Sequence, residues 1–290
     1  MAAPMRLRVP ARIDFAGGWT DVVDYSAREG GLVLHAAIWP GVEATADWGE
    51  RGLSIAMTLD APPDSHLGTS SSVNVAWVRL TQGFTGMDRS AVEVAETAWK
   101  LETLLGNKGG KQDQYAAALG GFNLLRFGAE DEPAVVERLA LGEERVTALR
   151  ARLILCHARE STDSGANHRR LWERFGNGDA AVLAGLRRIR ASVEPARDAL
   201  VAGDWAAFGG LLTENREAAR SLGGGSITEG MDRLFAAADA AGALGGKGCG
   251  AGPGGMIVVL AEPDRREAVE RALTKAGGAV RDFAFAPATD

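Results

Sequence analysis

The chain has 290 residues, 46% hydrophobic and 24% charged, with a formal net charge of −6 and an isoelectric point near 5.4. This is the composition of a soluble globular protein with a substantial core. The acidic balance argues against nucleic acid or an anionic membrane as partner, since both select a basic surface. Two distant cysteines, Cys156 and Cys249, build neither a disulfide scaffold nor a cysteine-rich metal site. No apolar run reaches the length of a membrane span, and Met1 to Arg8 lack a signal-peptide pattern, so the chain reads as cytosolic.

In chain order, four strands come first: Leu7–Phe15, Gly31–Trp39, Val42–Trp48 and Leu53–Leu59, each short, apolar and bounded by Gly, Pro or Asp. Helices follow over Val73–Thr81 and Ser90–Leu105. In the second, Val94, Ala95, Ala98, Leu101 and Leu105 recur at helical spacing, Asp88 or Ser90 caps the start and Gly106 ends it. A helix over Gln112–Leu119 stops at Gly120-Gly121, and Gly121–Phe127 returns to strand. The second half reads as a strand at Arg152–Ala158 and three or four helices between about 165 and 242. A glycine-rich segment at 245–255 leads into a strand at Met256–Leu260. A helix over Asp264–Ala276 and a strand over Ala279–Ala286 finish the chain. The mixture lacks regular βα alternation, so the expected class is α+β with two lobes, 1–150 and 151–290.

Three glycine-rich segments and two acids carry the chemistry. The first segment, Pro10-Ala-Arg-Ile-Asp-Phe-Ala-Gly-Gly-Trp-Thr-Asp21, runs from a strand into a Gly-Gly turn. Asp14 and Asp21 can accept hydrogen bonds from sugar hydroxyls, and Arg12 can stabilise phosphate charge. Taken alone, the segment reads as a tight turn with surface polar residues. The second, Asp60-Ala-Pro-Pro-Asp-Ser-His-Leu-Gly-Thr-Ser-Ser-Ser72, puts Gly68 and four hydroxyl residues at a helix start. Free N–H groups and the helix dipole make an anion site there, and a hydroxyl can ligate magnesium. A capped helix needs fewer hydroxyls, and the Gly-Lys-Ser/Thr ending of a Walker loop is absent. The third, Gly245-Gly-Lys-Gly-Cys-Gly-Ala-Gly-Pro-Gly-Gly255, holds a formal G-x-G-x-x-G that follows a helix and opens a strand, the reverse of a dinucleotide site. A backbone crevice beside phosphates, at Gly250 and Gly252, is the expectation. Glu102 near a helix end and Asp113 after Gly109-Gly-Lys-Gln are the two acids: one to hold magnesium, the other to take a proton from an attacking hydroxyl.

Together and in this order the segments resemble the GHMP kinases, over about residues 6 to 262. Arg12-Ile-Asp-Phe-Ala-Gly-Gly-Trp-Thr-Asp21 and Gly110-Lys-Gln-Asp-Gln-Tyr-Ala-Ala-Ala-Leu-Gly-Gly-Phe-Asn123 look like the heptose kinase and fucokinase branch. The resemblance implies a two-lobed fold with the site between the lobes. It places Asp113 as the catalytic aspartate, with Arg12 beside it and Lys111 in the same motif. Ser70 and Glu102 fall at magnesium-binding positions. Leu67, Gly68, Thr69, Ser70, Ser71 and Ser72 form the ATP phosphate loop. Asp14, Gly18, Thr20, Asp21 and Gln112 fall at the acceptor, with Asp21 as the sugar-contacting aspartate. Lys111 touches phosphate or pairs with a surface acid. One departure stands out: where the family loop reads Pro-x-Gly-x-Gly-Leu-Gly-Ser-Ser, Asp64 and His66 replace the first two glycines.

The expected activity is transfer of a phosphoryl group from ATP, with Mg2+, to a hydroxyl of a hexose, a heptose or its phosphate, by a monomer or homodimer. A kinase of a cyclitol or mevalonate-like acid, and a catalytically silent sugar-binding homologue, are the alternatives. Intact Ser70, Glu102 and Asp113 speak against the silent one.

Overall fold

Strand β1 (Met5–Ala16) changes character halfway. Met5 to Arg8 alternate between half-buried and exposed, whereas every residue from Val9 onward is buried. The second half has helices on both faces, which is why it reads as an apolar run. The computed structural model describes residues 4–49, 52–61, 65–106, 109–160, 164–223, 226–250 and 254–289. After β1 come α1 (Val23–Glu29), β2 (Gly31–Gly49), β3 (Gly52–Leu59), α2 (Thr69–Thr85), α3 (Ala91–Leu104) and α4 (Gln112–Leu119). Then follow β4 (Phe122–Phe127), β5 (Val135–Arg138), α5 (Gly142–Arg152) and β6 (Leu153–His157). A helical block holds α6 (Ser164–Gly176), α7 (Ala180–Ala191), α8 (Val193–Ala202), α9 (Trp205–Ser221) and α10 (Glu229–Ala240). The chain closes with β7 (Ala243–Gly248), β8 (Met256–Ala261), α11 (Arg266–Lys275), β9 (Ala279–Arg281) and β10 (Ala284–Phe285). This is the mixed α+β class expected from the sequence.

The first sheet has six strands built around β2. One edge of β2 pairs antiparallel with β1. The other pairs in turn with β4, β10 and β3. The expected pair of strands at Gly31–Trp39 and Val42–Trp48 is therefore one continuous strand. It passes the cis peptide Trp39–Pro40 because the β1 register shifts there: Pro10 faces Gly41 and Ala11 faces Ile38. Proline lacks a donor and is accommodated at such an irregularity. The second sheet, in the order β7-β8-β6-β9, is antiparallel throughout.

Four further expectations need correction. The helical block holds five helices where three or four were expected, with α7 and α8 separated only at Ser192. The short α1, β5 and α5 lay in stretches left unassigned. The glycine-rich segment does not follow a helix directly: Gly245 and Gly246 lie inside β7, and Gly250, Gly254 and Gly255 lie between β7 and β8. The last expected strand is two, since β9 pairs with β6 in the second sheet and β10 with β2 in the first. The chain crosses between sheets at Asp282 and the buried Phe283.

The main core lies between the sheets. Ile13, Phe15, Leu34 and Ile38 of the first meet Leu155, Met256 and Val258 of the second, with Leu200, Phe208 and Leu212 from α8 and α9. Helices α2, α3 and α4 cover the other face of the first sheet through Val75, Leu80, Val94, Ala98 and Tyr115. Helices α10 and α11 cover the second sheet through Leu234, Phe235, Val269 and Leu273. Each large aliphatic or aromatic side chain so buried contributes roughly 1.5–3 kcal/mol. Among the described residues no helix is long and apolar enough to cross a membrane.

Candidate active site

Asp113 stands in the first turn of α4, with its side chain 25% exposed. Arg12, near the middle of β1, reaches it from below: Nε donates to Oδ1 of Asp113 at 2.7 Å and Nη1 to the carbonyl of His66 at 2.8 Å. Arg12 is buried, which works against its charge, yet Asp113 and Asp14 hold its pKa above that of an ordinary arginine. The phosphate loop crosses directly over this pair. A Cβ on Gly68 would lie 2.9 Å from Cγ of Asp113, and Gly68 has φ +77°, so only glycine fits both the space and the backbone. The third segment closes in from the second sheet, where a Cβ on Gly250 would lie 2.7 Å from the His66 carbonyl and 3.0 Å from Arg12 Nη2. Three segments distant in sequence thus meet around one guanidinium.

Helix α2 opens with Gly68 as its N-cap, no side-chain cap and no acid in its first turn. Its first intrahelical bond is Ser72 N–H to the Gly68 carbonyl, so the preceding N–H groups have no helical partner and point with the positive dipole end out of the helix. That suits phosphate oxygens. The loop residues divide by helix phase. Leu67 is buried in the main core and its carbonyl accepts from Arg12 N–H. Thr69 is half-buried and Ser70 exposed. Ser72 Oγ turns inward to the carbonyls of Pro10 and Gly68. The Leu67 and Ser72 side chains therefore support the loop from behind. His66 holds φ +55°, a backbone region that favours the glycine usual at this loop position. Asp64 and Gly252 lie outside the described residues.

Glu102, on α3, is buried beside the same helix start. Ser71 Oγ donates to its carboxylate at 3.1 Å, and Gln114 Nε2 donates both to Ser71 Oγ at 3.1 Å and to Glu102 itself. Burial, then the charge of Asp113, raises the Glu102 pKa. The hydroxyl that meets Glu102 is thus Ser71's, while Ser70 lies on the exposed side of the turn. Consecutive helical residues are about 100° apart, so only one serine can face a given acid. Ser71 and Gln114 were the residues missed as a pair, and the helix phase is the signal that finds them. Among the described residues no cluster of three or more His, Cys, Asp or Glu side chains could hold a metal alone. One carboxylate and a hydroxyl are the oxygen set magnesium uses when phosphates supply further ligands.

Around the acceptor positions the structure redistributes roles. Both carboxylate oxygens of Asp14 are engaged: Oδ2 with Lys247 Nζ and Oδ1 with Gly250 N–H, each at 2.8 Å. Burial pushes the Asp14 carboxyl up, but Lys247 and Arg12 outweigh it and hold it below the usual range. Asp14 thus ties the two sheets together. Lys247, its partner across 233 residues, went unassigned in sequence. Thr20 Oγ1 donates to the Gly17 or Leu32 carbonyl and accepts from Leu32 N–H, so its hydroxyl pins the turn. Asp21 is 2% exposed. It accepts from Gln112 N–H at 3.0 Å and Gln112 Nε2 at 3.3 Å, bracing the start of α4 from outside. Burial pushes its carboxyl up to about 7. Gln112 Oε1 is buried with no hydrogen-bond partner among the described residues. Gly18 lies between Asp14 and Gln112. Lys111 faces away from Asp113: Nζ donates to Glu96 and to the carbonyls of Glu130 and Glu132, over the Trp99 ring. It does pair with an acid, but in the interior and not at the surface or on phosphate.

Comparison with known proteins identifies the family. Residues 33–121 match the model of the GHMP kinases N terminal domain, and residues 196–279 match GHMP kinases C terminal. The D-glycero-alpha-D-manno-heptose 7-phosphate kinase of Campylobacter jejuni is 25% identical, over 97% of this chain and 96% of that protein. A mevalonate kinase of Thermococcus onnurineus is 28% identical, over 82% of this chain and 68% of its own. The crystal structure of a D-glycero-D-manno-heptose 1-phosphate kinase from Bacteroides thetaiotaomicron superposes with a TM-score of 0.78 at 26% identity, covering 99% of this chain and 97% of that one. With both family domains present, this chain belongs to the GHMP kinases and is a small-molecule phosphotransferase of that family.

Proposed function

We propose that the protein phosphorylates a sugar hydroxyl, on a hexose or heptose or its phosphate, using ATP and magnesium. The observation that carries this reading is the Arg12–Asp113 pair beneath the backbone of Gly68. A partly exposed carboxylate, fixed in orientation by a buried arginine, stands where an anion-binding helix start ends. Asp113 orients the acceptor hydroxyl and takes its proton. Arg12 keeps the carboxylate oriented and adds positive charge near the transferring group. The N–H groups opening α2 hold the nucleotide phosphates, and Gly250 brings the third backbone against the same loop. Glu102, with Ser71 or Ser70, would hold magnesium, which when bound supplies charge stabilisation to the phosphates. Phosphoryl transfer asks a protein mainly for such positioning and electrostatics. The full-length heptose kinase relatives support a sugar as acceptor.

The test is ADP release across a panel of hexoses and heptoses, free and phosphorylated, with mevalonate and a cyclitol as controls. Turnover of a sugar, lost in Asp113→Asn, is the expected result. Turnover of mevalonate or the cyclitol alone would replace the acceptor class, and none at all would leave a binding homologue.

A further inference from the structure

Sheet edges need protection, because their unpaired N–H and C=O groups recruit further strands. Other edges of this molecule have it. Strand β1 carries Arg6, Arg8 and Pro10. Strand β5 is four residues long and includes Glu137 and Arg138. Strand β9 has three residues and ends in Arg281. Strand β7 is covered by α9, where a Cβ on Gly245 would lie 1.9 Å from the Gly209 carbonyl. Strand β3 has none of these devices. Its eight residues, Gly52-Leu-Ser-Ile-Ala-Met-Thr-Leu59, contain no charge and no proline, and its register with β2 runs without a bulge. Among the described residues it pairs with β2 alone.

Asp60, the next residue in that register, donates its N–H to the Gly41 carbonyl of β2 at 3.1 Å. Alternate residues of a strand point the same way, so the even positions of β3 face β2. Leu53, Ile55, Met57 and Leu59 therefore turn their N–H and C=O groups outward. Side chains alternate as well. Ser54, Ala56 and Thr58 are exposed on one face. On the other, Ile55 and Met57 pack against the core, while Leu53 and Leu59 are 41% and 49% exposed. Trp48, opposite Leu53 in the register, is exposed and meets the exposed Phe84 edge-on, with ring centroids 6.3 Å apart.

We propose that this edge binds a second copy of itself, so that two chains join their first sheets through antiparallel β3 strands. The strand is self-complementary about Ala56. With Ala56 facing its own copy, Leu53 meets Leu59 and Ile55 meets Met57, each pair at a hydrogen-bonded position. Ser54 meets Thr58, so small side chains fill the closer, non-hydrogen-bonded positions. No charge crosses the seam, in a chain whose net charge of −6 makes its copies repel elsewhere. The two-fold axis closes the contact, because one patch serves both copies and neither β3 edge is left for a third.

Sedimentation equilibrium tests the pairing. The wild type is expected at twice 30.4 kDa. Leu53→Lys with Leu59→Lys sets like charges face to face and raises the dimer dissociation constant about 100-fold. Leu53→Lys with Leu59→Glu sets opposite charges together and stays dimeric. Both leucines are well exposed, so circular dichroism of either double variant stays that of the wild type. Cysteines then read the register. Non-hydrogen-bonded partners stand about 4.5 Å apart, Cα to Cα, within disulfide reach. With oxidised glutathione, Ala56→Cys links two chains, whereas Ser54→Cys, which faces Thr58, does not. Cys156 and Cys249 are buried and give little background. A wild type that stays at 30.4 kDa up to its solubility limit overturns the proposal and leaves the edge to a strand of another protein. So does a dimer that survives Leu53→Lys with Leu59→Lys, since its interface lies elsewhere. Equal cross-linking of Ala56→Cys and Ser54→Cys overturns the register. If the lysine variant does not fold, the two cysteine variants, which change little on an exposed face, decide alone.

Discussion

Arg12 and Lys111 are both buried cations paired with a carboxylate, Arg12 with Asp113 in the first turn of α4 and Lys111, at the start of α4, with Glu96 of α3, and only the Arg12 pair is open to a ligand. The Arg12 pair leaves Asp113 25% exposed and flanked by phosphate-loop backbone. The Lys111 pair is shut: its side chains are 3% and 11% exposed, the Tyr115 hydroxyl also donates to Glu96, and two carbonyls complete the lysine. An ion pair with an open carboxylate can exchange a proton with a ligand. A closed one can only hold elements together. Lys-Gln-Asp-Gln therefore splits by orientation, with Lys111 toward α3 and the Glu130–Glu132 segment, Gln112 toward Asp21, Asp113 toward Arg12 and Gln114 toward Glu102.

The contrast can be broken from either side. The largest effect is expected for Asp113→Asn: turnover falls by about 10²–10⁴-fold, while the thermal melt stays close to wild type. A variant that keeps turnover would move the base elsewhere. Lys111→Met should do the opposite. It leaves Glu96 as an unmatched buried charge, at a cost of about 3–5 kcal/mol. Denaturant unfolding reads that loss, and kcat per folded molecule is unchanged. Loss of kcat without loss of stability would put Lys111 back in the site. Gly68→Ala forces a methyl against Asp113 in a left-handed backbone, so kcat/KM for both substrates should fall together. A drop confined to ATP would show that the loop yields without moving the base. Glu102→Gln should raise the magnesium concentration needed for half-maximal rate, with unchanged turnover at limiting magnesium as the contrary result.

The smallest effect sharpens the comparison through pH. Asp21 has a carboxyl near 7 in the fold against an ordinary value of 3.8. The folded protein binds the proton more tightly than the unfolded chain, so this group's contribution to stability declines as pH rises from about 4 to about 7. Asp21→Asn should flatten that part of the stability–pH curve measured by denaturant melts. It should also lower kcat more than it alters KM for the acceptor, since Asp21 braces α4. A KM effect alone would restore Asp21 as a sugar contact.

What could be read in sequence followed from local rules. Helix α4 has the boundaries expected because glycines flank it. Helix α3 begins at Ser90 because Ser90 and Glu93 form a reciprocal capping box. The meeting of Arg12, Gly68 and Asp113 was implied by resemblance, and the ion pair gives it distances. The remainder depended on helix phase and on contacts between distant segments. Ser70 and Ser71 are chemically equal until the turn of α2 decides which one faces Glu102. Asp14 and Asp21 looked like ligand acceptors because their partners, Lys247 and the backbone of Gln112, lie far along the chain. Ser192 separates α7 from α8, and Pro195 in the first turn of α8 is the one local mark of that boundary.

The return of the last strand to the first sheet has a consequence for biogenesis. Strand β10 pairs with β2, Thr289 N–H donates to the Leu119 carbonyl at the end of α4, and Arg138 reaches the Thr289 carbonyl, 151 positions further along the chain. During synthesis the ribosome must deliver almost the whole second lobe before these partners exist. Until then a nascent chain leaves part of one edge of β2 uncovered and the C-terminal end of α4 without its final hydrogen bond. The Arg12–Asp113 pair is thus available early in chain order while the pairing that covers β2 comes last, and the exposed edge of β2 is where a stalled nascent chain is open to mispairing.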